Sequence, residues 1–146
     1  MKFHLNMRTL VCTLIISLGF SSFSMSYCQD SFDIVGHWES LTGTDHMKLT
    51  FDQYGFVIIE SNGETIGGES FERKGIVFSL SYFLDLEVKP MRLDLTFTEM
   101  GSGEQFHWPG IMRIISDDEI HVFIDEDGER PEEFIEHYYE VLKRVK

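Results

Sequence analysis

Apolar and polar residues alternate along most of this chain, the pattern of a β-strand with one buried and one wet face. The longest run is the clearest. Ile76, Phe78, Leu80, Tyr82, Leu84, Leu86 and Val88 hold one phase. Val77, Ser79, Ser81, Phe83, Asp85, Glu87 and Lys89 hold the other, mostly polar phase. Beyond Pro90, Met91, Leu93, Leu95 and Phe97 alternate with Arg92, Asp94, Thr96 and Thr98. Met47, Leu49 and Phe51 do the same earlier, and Met112, Ile114, Ile120, Val122 and Ile124 later. Turn residues separate these runs. Asp52-Gln53-Tyr54-Gly55 and Ser61-Asn62-Gly63-Glu64 read as hairpin turns, because Asn-Gly accepts positive φ at little cost. Gly67-Gly68 reads as a bulge or bend of the kind that curves a closing sheet. The pattern predicts an all-β fold with eight or nine short antiparallel strands, arranged as a barrel or a sandwich.

The last segment has two readings. Phe134, Tyr138, Val141 or Leu142, and Val145 recur at helical spacing, with Pro131, Glu132 and Glu133 suited to a helix start and Lys143, Arg144 and Lys146 to its end. A closing strand over residues 138–145 is the other.

The N-terminus changes the picture. Lys2 and Arg8 precede an apolar stretch over residues 10–20, followed by small residues. This is the layout of a signal peptide over residues 1–28, with cleavage after Ser26 or Cys28, and its apolar core is shorter than the ~20 residues that span a bilayer. Residues 29–146 then form one barrel domain, secreted or periplasmic, with no stable membrane insertion after cleavage. Tyr27 before Cys28 is a poor fit to lipidation, though a lipoprotein linked through Cys28 is the alternative. Cys12 lies inside the signal, so no disulfide forms in the mature chain.

The net charge is -13, and loss of Lys2 and Arg8 takes it to -15. Such a balance excludes nucleic acid and anionic membrane surfaces as partners, since both need a basic face. It keeps an exported barrel soluble.

Gly36-His37-Trp38 opens the first strand over residues 34–40. A Gly-x-Trp at this place resembles the start of lipocalin-like barrels. There the glycine permits close backbone approach and the tryptophan plugs the closed end. From Val88 to Phe134 the chain also resembles a family of uncharacterised, lipocalin-like secreted bacterial domains with a large expansion in planctomycetes. The matching residues are Leu93-Asp94-Leu95-Thr96-Phe97, Gly110-Ile111-Met112-Arg113-Ile114, Asp118, Ile120-His121-Val122-Phe123 and Gly128-Glu129-Arg130-Pro131-Glu132-Glu133-Phe134. Val141-Leu142-Lys143-Arg144 closes the pattern. Met112 stands where the family has Tyr, and the connection after Phe134 is shorter than usual. The resemblance implies an all-β, antiparallel up-and-down, calycin-like barrel of about eight strands with a closing strand around residues 138–145, and an export route, but no settled activity. It also implies Arg144 as the best cation to stack on Trp38, with Arg113 and Arg130 as alternatives. That contact is structural and worth ~0.5–2 kcal/mol.

No nucleophile elbow, P-loop or dinucleotide fingerprint occurs, so the expectation is a non-enzymatic protein without cofactor. Asp125-Glu126-Asp127-Gly128-Glu129 lacks the full ligand spacing of a calcium loop and reads as an acidic turn. His37, His46, His107, His121 and His137 show no zinc spacing. Phe106, His107 and Trp108 before Pro109-Gly110 form either an aromatic rim or a loop packed on the barrel end. The inward stripe of Met47, Phe51, Phe78, Leu80, Tyr82, Leu93, Leu95, Phe97, Met112 and Tyr139 either lines an apolar cavity or fills it, and Phe51, Phe78, Tyr82, Phe97, Trp108, Met112 and Tyr139 are the candidate ligand-contacting residues. The leading expectation is binding of a small apolar or amphipathic molecule in the barrel. The alternative is an envelope protein-interaction or inhibitor module with a filled core.

Overall fold

The computed structural model describes residues 32–42, 46–125 and 128–146. The signal-peptide segment, and Glu126 and Asp127 of the acidic turn, lie outside the described residues. Ten strands follow one another: β1 (Gly36–Ser40), β2 (Lys48–Phe51), β3 (Val57–Ser61), β4 (Glu64–Arg73) and β5 (Ile76–Asp85). Then come β6 (Met91–Glu99), β7 (Gln105–Trp108), β8 (Gly110–Ser116), β9 (Glu119–Ile124) and β10 (Glu140–Arg144). No helix occurs among the described residues.

Each strand pairs antiparallel with its successor, except that β8 follows β7 on the same side of β6. The two share one register against β6, with Leu95 opposite Trp108 and Met91 opposite Met112. Pro109 interrupts them because it has no N–H for the ladder. β10 pairs with β9 on one side and β1 on the other, closing a nine-stranded barrel with β7 as the extra strand. The C-terminal segment is therefore a strand. Helical spacing is a local preference, and the two open edges of β1 and β9 outweigh it by satisfying both sides of residues 140–144.

Strict alternation cannot close an odd ring of straight strands, and β4 supplies the exception. Its first half pairs with β3, its second half with β5, and the register breaks between Gly68 and Phe71. Phe56, just before β3, bridges antiparallel to Ser81 of β5. The halves of β4 therefore point in widely different directions, and the bend falls at Gly67-Gly68. Gly67 has φ +110°, and a Cβ there would meet the Val57 carbonyl oxygen at 2.2 Å. Only glycine fits.

The alternation translates directly into layers. Leu49, Phe51, Val57, Leu80, Leu93, Leu95, Met112, Ile120, Val122 and Leu142 fill the interior almost without solvent contact. Ile111 is equally buried yet lies outside this cluster, on the outer face. The chain between β9 and β10 crosses that face. Asp94, Gly110 and Arg130 come from three separate elements. Arg130 donates to both Asp94 carboxylate oxygens at 2.5 and 2.7 Å, and to the Gly110 carbonyl at 2.7 Å. The Gly110 N–H closes the circuit on Asp94 Oδ1 at 3.1 Å. Burial works against the Asp94 charge, but these hydrogen bonds and the charges of Arg130 and Arg92 hold its pKa below the usual carboxylate value.

Candidate functional site

One end of the barrel is plugged. Trp38 is fully buried, and its indole N–H donates to the Ile34 carbonyl at 2.8 Å. The Arg144 guanidinium lies over the indole ring, 4.3 Å from its centroid. Its nitrogens donate to the carbonyls of Val35 at 2.7 Å, Asp33 at 2.6 Å and Asp117 at 3.0 Å. Gly36 allows this, since a Cβ there would stand 2.9 Å from Arg144 Nη1, and its φ is +133°. Arg113 and Arg130 are elsewhere, the first over the Phe134 ring and the second on Asp94. Phe51 and Tyr82 pack edge-to-face at 5.0 Å near the same end, and the Tyr82 hydroxyl donates to the Asp52 carbonyl at 2.7 Å. Desolvation first, then Asp52 and Asp33, raise the Tyr82 pKa.

At the opposite end, the described residues leave two cavities that meet at Trp108. The first, about 240 Å³, is lined by Met47, Leu49, Ile59, Val122, Ile124 and Trp108. Glu140 and Tyr138 stand on its rim side. The Glu140 carboxylate accepts hydrogen bonds from the hydroxyls of Ser40 and Thr42, so the one charge turned toward this cavity is held by neutral donors. The second cavity, about 270 Å³, is a groove walled by Phe71, Phe78, Phe97, Phe106 and Trp108, with Arg73 at its edge. Its rings contact one another: Phe97 and Trp108 meet edge-to-face at 4.6 Å, and Phe71 lies 5.8 Å from Phe78 and 6.3 Å from Phe97. The ladder explains the gathering. Phe97 is opposite Phe106, Leu95 opposite Trp108 and Phe71 opposite Phe78, so four neighbouring strands, β4 to β7, bring aromatics to one place.

The predicted ligand-contacting residues separate into three groups. Phe78, Phe97 and Trp108 line the groove at the open end. Phe51, Tyr82 and Met112 lie in the packed part, Phe51 and Met112 with 1% exposure. Tyr139 is on the outside. It stacks on His121 at 5.1 Å, and His121 sits between the inward residues Ile120 and Val122 and so points outward. The inward phase of β10 is Glu140 and Leu142 instead, because the strand begins one residue after Tyr139. Phe71, Arg73 and Glu140 escape a reading by periodicity. The Gly67-Gly68 bend resets the phase of β4, and no alternation marks a carboxylate that turns inward at a strand's first residue.

On the outer face, Glu119 and His121 pair at 3.2 Å and Arg113 donates to His121 Nδ1 at 3.1 Å. Arg113 lies over the rings of Phe134 and Tyr139. This cluster ties the crossing segment to β8 and β9. Among the described residues, no three His, Cys, Asp or Glu side chains converge on a metal position.

Comparison with protein-family models, with curated proteins and with solved structures finds no match, so the fold and these two cavities carry the functional argument.

Proposed function

We propose that this protein is an exported, non-catalytic carrier or sensor that holds a small apolar or amphipathic molecule at the open end of its barrel. The observation that carries the reading is Trp108, which forms a wall of both open-end cavities while the rest of the interior is filled. A cavity of ~150 Å³ lined by apolar side chains accepts benzene. Each of these is larger, at about 240 and 270 Å³. Concave apolar sites with few polar groups are the usual form of small-ligand sites. Export rests on the signal-like residues 1–28 alone.

Native mass spectrometry of protein purified from an exporting host, followed by solvent extraction, tests the reading. The expected result is a reproducible adduct in the wild-type protein that Trp108→Ala loses. A bare mass in both, with no uptake of added apolar probes, would overturn it.

One observation favours a second reading. Phe106 is 46% exposed on β7, whose only pairing among the described residues is with β6. An interaction or inhibitor module would use that aromatic edge, and a stoichiometric protein partner lost on Phe106→Ser would favour it over the carrier.

A further inference from the structure

The aromatic groove is not neutral. Arg73, the last residue of β4, is the charged side chain among its walls. In a chain with 25 acidic and 12 basic residues, several cations of the barrel are engaged with carboxylates or carbonyls. Lys48 pairs with Glu39, Arg130 with Asp94, Lys143 with Glu119 and Lys146 with Asp118. The Arg73 side chain makes no ion pair among the described residues, as is also true of Lys74, Lys89 and Arg92, but of these four Arg73 is the one that lines the groove. The acid beside the groove, Glu99 opposite Phe78, does not pair with it.

We infer that the groove takes an amphipathic anion, its apolar body against Phe71, Phe78, Phe97 and Trp108 and its oxyanion head on the Arg73 guanidinium. This rests on the ligand-binding reading above and adds the charge of the ligand and the place of its head. Guanidinium is suited to the head because its fork of donors matches a carboxylate or phosphate with two parallel hydrogen bonds. The volume suits the body. About 270 Å³ is nearly twice the ~150 Å³ that accepts benzene, which corresponds to roughly ten heavy atoms. The net charge of -13 does not forbid an anion, since repulsion from distant carboxylates is screened over about 8 Å at physiological salt while a contact pair is not.

Isothermal titration with decanoate, decyl phosphate and decanol tests this on the wild type, Arg73→Gln and Lys74→Gln. Arg73 is exposed at a hairpin tip, so its substitution leaves the fold intact. The expected result is a wild-type preference of about five- to tenfold for an anionic probe over decanol. Arg73→Gln abolishes that preference by weakening the anionic probes more than decanol. Lys74→Gln, which does not line the groove, changes neither. Decanoate against decyl phosphate distinguishes a carboxylate from a phosphate head. If decanol binds as well as both anions, or if Arg73→Gln keeps the preference, the inference is overturned and the carrier reading stands. If no probe binds, both fall.

Discussion

Trp38 and Trp108 occupy opposite ends of one barrel and have opposite surroundings. Trp38 has every requirement met: no solvent, a carbonyl for its N–H, and a cation over its ring. Trp108 is half-buried, touches Phe97 on one side and faces empty space on two others. The difference follows from the strand ends. At the plugged end, Arg144 ties the chain before β1 and the β8–β9 turn onto the indole. At the open end, Phe71, Phe106 and Trp108 instead wall a groove. Rigidity and vacancy are thus segregated along the barrel axis, with the stabilising contacts far from the surface left for a ligand.

Substitutions ranked by expected size sharpen that contrast. Trp38→Ala should destabilise the fold by ~3–5 kcal/mol, through the cavity and the stranded Arg144. An unchanged urea midpoint would remove the plug from the account. Gly67→Ala should cost about 2–4 kcal/mol, because the new methyl meets the Val57 carbonyl in a backbone region that alanine avoids. If Gly67→Ala is as stable as wild type, β4 does not need its bend.

Asp94→Asn should cost ~1.5–3 kcal/mol at neutral pH, the usual value of hydrogen bonds to a charged group. The sign of the pH effect follows from the lowered pKa. Asp94 contributes fully above the ordinary carboxylate value of ~3.9 and loses its contribution as pH falls through its own lower value. Wild type and Asp94→Asn should therefore converge in stability only as pH falls below that lowered value. A gap that does not narrow as pH falls through and below the ordinary carboxylate range would mean the carboxylate charge is not what matters. The smallest effect belongs to the open end. Trp108→Leu should change stability by less than ~1.5 kcal/mol. It should still weaken ligand binding about tenfold, a split that Trp38 substitutions would not give. A Trp108→Leu protein as unstable as Trp38→Ala would assign Trp108 to the core.

Most strands are legible from the sequence because one-sided burial leaves a period of two, and residues 76–88 and 91–98 show it without interruption. Phe78 and Phe97 are legible as inward residues for the same reason, whereas Trp108 is legible only as part of the aromatic cluster before Pro109. Tyr139 is not, since a one-residue difference in where β10 begins sends it to the opposite face. Leu93-Asp94-Leu95, Gly110-Ile111 and Gly128-Glu129-Arg130 lie far apart in the chain, yet Asp94, Gly110 and Arg130 form one hydrogen-bonded contact.

By itself, the chain determines that its segments are amphipathic strands joined by specific turns, because alternation and the φ demands of Asn62-Gly63 and Gly67-Gly68 are local properties. Three things wait for the tertiary structure. The final segment becomes a strand because β1 and β9 leave two edges that only a strand can satisfy. The ring holds nine strands because β4 bends enough for Phe56 to reach Ser81. The interior is filled at one end and hollow at the other because the register, which no single strand contains, decides the height at which Phe71, Phe78, Phe97, Phe106 and Trp108 meet.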